Sequence, residues 1–361
     1  MKAVAFRVDA SVTIAMGHFM RCLTLANELR RRGCRVRFLM RHTTEGVTHL
    51  LTRSGVEYAP LAPRKRPDTL RGTRHADWLG VEQEHDAADT LEALGNETWD
   101  WMVVDHYGID ARWEGAVAAT VGRMLVVDDL ADRPHRASIV LDQNLFPDLN
   151  IRYEPWLPKG TTPLLGPRYA LVRPEFLQAR NGTSRRCKRS TRLLVSFGGV
   201  DAANTTGIAL EAIRRLRPRF PSLSGDVVVG AGHPRLREIL AQCEALGLAW
   251  HVQTDQMASL MASSDLALGG TGSTSWERCC LGLPSVCAPG GYNQIAIGRG
   301  LAASGAAVLL EGDASSSAES WHDAVASLLS DRSVMTAMSD AASSLVDGMG
   351  VSRVADAMLE A

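Results

Sequence analysis

The segment LALGGTGSTSWE, residues 266–277, decides the fold class of the C-terminal half of the chain. It predicts an apolar strand, a glycine-rich turn and the start of a helix. Free backbone amides and the positive end of a helix dipole make such a turn an anion site. A serine-capped helix after a glycine turn, with no ligand, fits the same residues. A P-loop Gly-Lys-Ser/Thr is absent, and no Gly-x-Gly-x-x-Gly follows the first strand, which argues against ATPases and NAD-dependent dehydrogenases.

The same alternation of apolar strand and amphipathic helix extends outward over most of the chain. Predicted strands cover residues 3–8, 36–40, 101–104, 124–127, 139–141, 193–197, 227–229, 266–268, 285–288 and 307–310. Continuous apolar strands separated by helices predict parallel sheets covered on both faces. The fold class is therefore α/β, with two doubly wound Rossmann-like domains.

The alternation stops once, in a proline-rich stretch between Asn144 and Arg192 that ends in the basic run 180–189. It predicts an N-terminal domain over residues 1–178, a linker over 179–191 and a C-terminal domain over 192–361. The last helices are expected to pack back on the N-terminal domain. Two such domains would place a ligand between the carboxyl ends of their strands.

Composition and charge exclude several classes of protein. The 361 residues are 45% hydrophobic and 22% charged, with 39 Lys and Arg against 40 Asp and Glu, as in an ordinary globular protein. A formal net charge of -1 gives no field for a nucleic acid, and no segment has the length of a membrane span. Seven scattered cysteines without a Cys-x-x-Cys pair favour a reducing cytoplasm over disulfides or structural zinc.

The loop after the first strand, residues 9–18, ends in Gly17-His18 at the start of a predicted helix. An imidazole beside the positive end of a helix tends to stay neutral near pH 7, which is the state a general base needs. A helix-capping or core histidine would occupy the same position, so both interpretations stay open.

A polar triplet, Asp105-His106-Tyr107, follows the strand 101–104. Strand ends in open α/β sheets collect the side chains that contact ligands. Asp105 can orient an imidazole or bind a sugar hydroxyl, and Tyr107 can stack on a sugar or donate to it, although Asp-His-x-Gly is also ordinary turn chemistry. Asp128-Asp129, after the next strand, lacks further ligands nearby, so a loop or hydroxyl-binding role is preferred to metal binding.

Two glycine turns complete the candidate residues. Ser273 and Thr274 offer hydroxyls to a diphosphate, and Glu277 in the first helical turn can accept both hydroxyls of a ribose. Gly198 and Gly199, at the end of the first strand of the second half, allow the backbone to approach a ligand closely.

These motifs, in this order, are similar to those of one enzyme family, the UDP-2,4-diacetamido-2,4,6-trideoxy-β-L-altropyranose hydrolases of pseudaminic acid biosynthesis. The resemblance rests on residues 9–18 with Arg21, and on 105–108, 128–129, 166–176, 196–199 and 272–277. It implies the two-domain GT-B fold, also found in the glycosyltransferase that makes lipid II. The resemblance further implies a bacterial, cytoplasmic protein whose product supplies surface glycans or flagellin glycosylation.

The activity implied by the resemblance is metal-independent, inverting hydrolysis of the C1–O bond of the UDP-sugar, without a cofactor. His18 matches the histidine that activates water, and Tyr107 matches the active-site tyrosine. The implied substrate-binding residues are Gly17, Arg21, Asp105, His106, Gly198, Gly199, Gly272, Ser273, Thr274, Glu277 and Asn293. UDP is a good leaving group, so an amide-rich helix end can stabilise its charge and one base is enough.

Three alternatives stay open beside the hydrolase. A GT-B glycosyltransferase would transfer the sugar from UDP to an acceptor. A UDP-sugar epimerase would ordinarily have more carboxylates around the sugar. A binding module would bind the nucleotide sugar without catalysing a reaction. The chain departs from compact members of the family by extra sequence at residues 64–84 and at the C-terminus. The sequence does not define the oligomeric state.

Overall fold

The computed structural model describes residues 1–11, 14, 16–149, 151–182 and 191–360 of the chain. The chain divides into two compact units. The first consists of Met1–Leu171 together with Gly350–Ala361, and the second of Val172–Met349. The predicted linker at 179–191 therefore falls inside the second unit, and residues 183–190 lie outside the described residues.

The first unit is built on a seven-stranded parallel sheet. Its strands are β1 (Ala3–Val8), β2 (Arg35–Met40), β3 (Glu57–Pro60), β4 (Trp99–Asp105), β5 (Val121–Val127), β6 (Ile139–Asp142) and β7 (Thr162–Leu165). Their order in the sheet is β3-β2-β1-β4-β5-β6-β7, with every pairing parallel. Helices α1 (Gly17–Arg31), α2 (Glu45–Ser54), α3 (Ala76–Leu79), α4 (Gln83–Leu94) and α5 (Ala111–Val117) connect them. A 3₁₀ turn covers Pro167–Tyr169.

Both faces of this sheet are buried, as the continuous apolar strands require. Along β1, Val4 and Phe6 belong to the core on one face, while Ala3 and Ala5 belong to the core on the other. Because the strands are parallel and in register, their carboxyl ends meet at one edge: Val8 pairs with Asp105. Residues that follow neighbouring strands are thereby brought together.

The second unit is a six-stranded parallel sheet of the same kind. Its helix α6 (Pro174–Gly182) precedes strands β8 (Arg192–Ser196), β9 (Ser224–Val229), β10 (Ala249–Val252), β11 (Leu266–Gly270), β12 (Ser285–Ala288) and β13 (Ala307–Leu309). The strand order is β10-β9-β8-β11-β12-β13. Its other helices are α7 (Thr205–Leu216), α8 (Leu236–Ala245), α9 (Met257–Ser263), α10 (Thr274–Cys280), α11 (Tyr292–Ala303), α12 (Ala318–Ser330) and α13 (Arg332–Leu345). A second 3₁₀ turn covers Gly312–Ser316.

The last helix, α14 (Gly350–Leu359), belongs to the first unit. Its Val354 and Met358 are fully buried in the core that α1 and β1 also form. Lys2 Nζ donates to the carbonyl oxygen of Leu359 at 2.8 Å. A Cβ at Gly350 would lie 2.3 Å from the carbonyl oxygen of Ala170, so only glycine permits this close approach.

The predicted fold class, two parallel-sheet Rossmann-like domains, is confirmed. Three strands absent from the prediction, β3, β7 and β10, all lie at sheet edges. No helix in the described ranges is long and apolar enough to span a bilayer. The six cysteines that the structure describes are free, and Cys187 lies outside the described residues.

Candidate functional site

The first unit places His18 against a carboxylate at the carboxyl edge of its sheet. His18 lies in the first turn of α1, directly after Gly17, and Asp105 is the last residue of β4. The Nδ1 atom of His18 is 2.6 Å from Oδ1 of Asp105. Arg21, one turn further along α1, donates to the same carboxylate through Nε at 2.6 Å and Nη2 at 2.7 Å.

The charge of Asp105 determines which nitrogen of His18 carries the proton. Burial alone would raise the pKa of Asp105, but Arg21 and His18 lower it below its usual range. Arg21 Nη2, a donor, also lies 3.1 Å from Nδ1, but the ionised carboxylate is closer, at 2.6 Å, and can only accept. We therefore assign the neutral ring a proton at Nδ1 and a lone pair at Nε2. Within the described residues Nε2 has no hydrogen-bond partner, and the side chain of His18 is 10% exposed.

Tyr107 is held beside His18 by a second carboxylate. Its hydroxyl donates to Oδ2 of Asp129 at 2.5 Å, and its ring lies edge-on to the imidazole with 4.6 Å between centroids. Burial and the neighbouring Asp129 raise the pKa of Tyr107 well above its ordinary value. Arg21 also donates to Asp129, at 2.9 Å, so one guanidinium joins the partners of His18 and Tyr107.

A polar layer beneath Asp129 fixes its position. The Nδ2 atom of Asn144 donates to Asp129 at 2.6 Å and to Asp142 at 2.9 Å. Burial, with the charge of Asp129 added to it, raises the pKa of Asp142 to about 7. The hydroxyl of Tyr153, from the segment after β6, donates to Asp142 at 3.1 Å and so ties that segment to the end of β6.

His106, expected to contact substrate, faces a different cluster. Its Nδ1 accepts the backbone N–H of Gly108 at 3.0 Å, and its Nε2 lies 3.4 Å from Asp9. The ring is fully buried, and Asp9 is also paired with Arg7 at 2.7 Å. These contacts tie His106 to Asp9 and to the turn that follows β4.

The second unit contains the predicted glycine turn and a short helix. Gly270 ends β11, and α10 begins at Thr274, after Gly272 and Ser273. The buried guanidinium of Arg278 holds the turn, with Nη2 donating to the carbonyl oxygen of Gly270 at 2.7 Å. The amides of Ser275 and Trp276, at the start of α10, donate to the carbonyl oxygens of Gly272 and Ser273 at 2.9 and 3.1 Å.

Glu277 lies on α10 and is paired with Arg173. Arg173 Nε donates to its Oε1 at 3.0 Å. Burial raises the pKa of Glu277, and the charge of Arg173 acts against that rise.

Gln294, which the sequence analysis did not single out, lies beside the glycine turn. A Cβ at Gly272 would lie 3.3 Å from Nε2 of Gln294, so the side-chain amide of Gln294, on α11, lies next to the turn. Asn293, the predicted residue, is half-buried in the first turn of α11. The Pro-Gly-Gly turn at 289–291, between β12 and α11, is the sequence feature that could have indicated Gln294 as a site residue.

Gly198 and Gly199 follow β8 and leave an open turn. Gly198 has a φ of 91°, and a Cβ on either glycine would meet nothing within 4 Å. A Cβ at Gly230 would lie 1.9 Å from the carbonyl oxygen of Gly199, so the backbones after β8 and β9 run in close contact.

In sum, the structure brings together His18, Arg21, Asp105 and Tyr107 in the first unit. In the second unit, Gln294 lies against the turn that carries Gly272. Among the described residues no group of three or more His, Cys, Asp or Glu is arranged to hold a metal ion. The roles of the predicted site residues stay predictions.

Solved structures define the class of fold. Acinetobacter baumannii MurG superposes with a TM-score of 0.69 at 17% identity and covers 100% of both chains. The calicheamicin glycosyltransferase CalG4 gives 0.65 at 16% identity, covering 100% of this chain and 98% of that one. A co-structure of S. aureus MnaA with UDP gives 0.64 at 11% identity, covering 99% and 95%. The fold is that of the GT-B glycosyltransferases.

Three curated proteins are similar in sequence, and no protein-family model matches the chain. An uncharacterized protein of Methanocaldococcus jannaschii is 24% identical over 290 residues, 78% of this chain and 54% of that protein. The spore coat polysaccharide biosynthesis protein SpsG of Bacillus subtilis is 22% identical over 357 residues, 97% and 96%. The UDP-2,4-diacetamido-2,4,6-trideoxy-beta-L-altropyranose hydrolase of Campylobacter jejuni is 23% identical over 151 residues, 42% and 52%. The chain thus spans about half the length of the first and the third of these relatives.

Proposed function

We propose that the protein is a UDP-sugar hydrolase that cleaves the C1–O bond of UDP-2,4-diacetamido-2,4,6-trideoxy-β-L-altrose and releases UDP. The observation that carries the proposal is the buried His18–Asp105 pair, with 2.6 Å between Nδ1 and Oδ1 and with Nε2 unpartnered among the described residues. The partial likeness to the Campylobacter jejuni hydrolase supports the choice of sugar.

The proposed step uses one base. Nε2 of His18 takes a proton from water as the water oxygen attacks C1, and the C1–O bond breaks with its electron pair leaving on UDP. Attack from the face opposite the leaving group inverts the configuration at C1. The imidazolium that forms lies against Asp105, whose negative charge stabilises it, as in other His–Asp pairs.

Tyr107 and Arg21 complete the proposed catalytic unit. The Tyr107 hydroxyl is committed to Asp129 at 2.5 Å, so we infer that it acts through its ring and through the position of its hydroxyl, not as an acid. Arg21 bridges Asp105 and Asp129 and neutralises part of their charge.

We assign nucleotide binding to the second unit. The open turn at 198–199 and the glycine-rich turn at 270–273, with the hydroxyls of Ser273 and Thr274, suit a diphosphate. Glu277, with one oxygen engaged by Arg173 at 3.0 Å, keeps acceptor capacity for ribose hydroxyls. The S. aureus MnaA neighbour, solved with UDP, supports this nucleotide.

The test is UDP release from the UDP-sugar by purified protein in EDTA, without an acceptor, with the anomeric proton followed by NMR. We expect release without an acceptor and a sugar that first appears as the opposite anomer. His18→Ala should lower kcat about a hundredfold or more with UDP binding kept. His49→Ala, an exposed histidine on α2, is the matched control and should leave kcat unchanged.

Two results would overturn the proposal. Near-normal turnover by His18→Ala would remove that residue from the mechanism. Release that requires an added acceptor would establish a transferase, the activity named for the CalG4 neighbour.

A further inference from the structure

The extra segment at residues 64–84 is built firmly into the first unit. Leu79 and Val81 are buried in the core on one face of the sheet. Arg64 makes two hydrogen bonds to the buried Asp89, at 2.7 and 2.6 Å. The segment is therefore held in place at its start and near its end.

Between these anchors, α3 places an indole against the proposed catalytic residues. The ring of Trp78 stacks on Tyr107, with 5.2 Å between centroids and 22° between planes. It lies edge-on to His18 at 6.0 Å. His75 packs on both aromatic rings, at 5.0 Å from Trp78 and 5.3 Å from Tyr107.

Trp78 has spare binding capacity, unlike Tyr107, on which it stacks. Tyr107 is buried with its hydroxyl bonded, whereas Trp78 is half-exposed. Within the described part of the chain, the indole N–H has no hydrogen-bond acceptor. A half-exposed indole offers an apolar face and one donor, which suits a sugar with C–H, methyl and acetamido groups.

We propose that Trp78 contacts the sugar of the substrate and sets the preference for a deoxy, acetamido sugar. This inference rests on the proposed function, since His18 and Tyr107 locate the reacting sugar. Trp78 would then contribute to binding of the sugar and contribute nothing to binding of UDP. Its effect should appear in the difference between the affinities for the UDP-sugar and for UDP.

The experiment measures both affinities by titration calorimetry in a His18→Ala background, where the substrate is not consumed. Adding Trp78→Ala should weaken binding of UDP-2,4-diacetamido-2,4,6-trideoxy-β-L-altrose about tenfold, the scale of one lost aromatic contact, and leave UDP unchanged. Trp78→Phe should give a smaller loss. Trp250→Ala, at an exposed tryptophan on β10 that is 42% accessible, is the matched control and should change neither affinity.

The outcomes separate the two proposals. Unchanged affinity for the UDP-sugar, or equal losses for the UDP-sugar and UDP, would overturn the role of Trp78. Thermal unfolding of each variant identifies a loss of affinity that is caused by misfolding. If Trp78→Ala misfolds, the affinities of Trp78→Phe are compared with those of the protein that carries Trp78. Continued hydrolysis in the His18→Ala background would overturn the proposed base alone, and Trp78 would then be judged by the KM of Trp78→Ala in the wild-type background.

Discussion

Replacing Asp105 by Asn tests the proposed catalytic pair most directly. Oδ1 of Asp105 accepts from His18 at 2.6 Å and from Arg21 Nη2 at 2.7 Å, while Oδ2 accepts from Arg21 Nε at 2.6 Å. An amide has one acceptor and one donor end. In either orientation its NH₂ group faces at least one donor of Arg21.

The two orientations have different consequences for His18. With the amide oxygen toward the ring, the Nδ1–H bond survives but the charge that stabilises the imidazolium is gone. With the NH₂ group toward the ring, Nδ1 must accept and the proton moves to Nε2, where it blocks a base. We expect kcat to fall about 100- to 10,000-fold, as for other His–Asp pairs. Stability should fall by about 1.5–3 kcal/mol for the lost charged hydrogen bond.

The assay is UDP release under saturating UDP-sugar, paired with urea unfolding and UDP titration. Asp226→Asn is the matched control, because Asp226 is also buried and pairs with an arginine, Arg192 at 2.6 Å, and a histidine, His251 at 3.0 Å. The control should lose similar stability and keep its kcat. A kcat for Asp105→Asn within threefold of wild type, with the protein folded, would refute the reasoning.

Two further predictions concern the nucleotide site and a buried histidine. Glu277→Ala should weaken UDP binding by about 1–3 kcal/mol through lost charge-assisted bonds, and an unchanged UDP titration would place the nucleotide elsewhere. Burial lowers the pKa of His135, but Asp128 and Glu114 raise it overall to about 9. Because the pKa of His135 is higher in the folded than in the unfolded protein, its protonation stabilises the fold by about 3 kcal/mol. This contribution to the free energy of unfolding is full below about pH 6.5 and is lost as the pH rises through 9. Urea unfolding between those pH values should show the loss in wild type and a flatter profile in His135→Gln, and identical profiles would contradict it.

The apolar central strands were predictable because burial on both faces imposes a continuous apolar run. Strands such as β1 and β11 carry that pattern. Three of the four edge strands lack that pattern: β3 ends at Pro60, β7 contains Pro163, and β10 is half-exposed, whereas the edge strand β13 is apolar and was predicted. An edge strand needs no donor on its outer side and tolerates proline, so its sequence resembles a loop.

The site was predictable in part for a similar reason. Polar residues directly after apolar strands, such as Asp105 and Asp129, are visible in the sequence because the strand pattern ends there. The proposed role of Trp78 was not predictable from the sequence, because Trp78 does not follow a strand. Its contact with Tyr107 depends on how the segment 64–84 folds. The contact of Gln294 with the Gly272 turn depends likewise on the pairing of β11 with β12.

The carboxylates at the strand ends matter for the proposed base, because both His18 and its partner Asp105 are buried. Asp105 and Asp142 end β4 and β6, and Asp129 lies just after the intervening strand β5. Three like charges so close would raise one another's pKa. Arg21 lies between Asp105 and Asp129 and keeps the carboxylate beside His18 ionised. Burial, with the charge of Asp129 added to it, raises the pKa of Asp142 to about 7, and Asn144 links Asp142 to Asp129. Asp142 is thus the carboxyl of this row that takes up a proton near neutral pH, whereas Asp105, held by Arg21, keeps its charge beside His18.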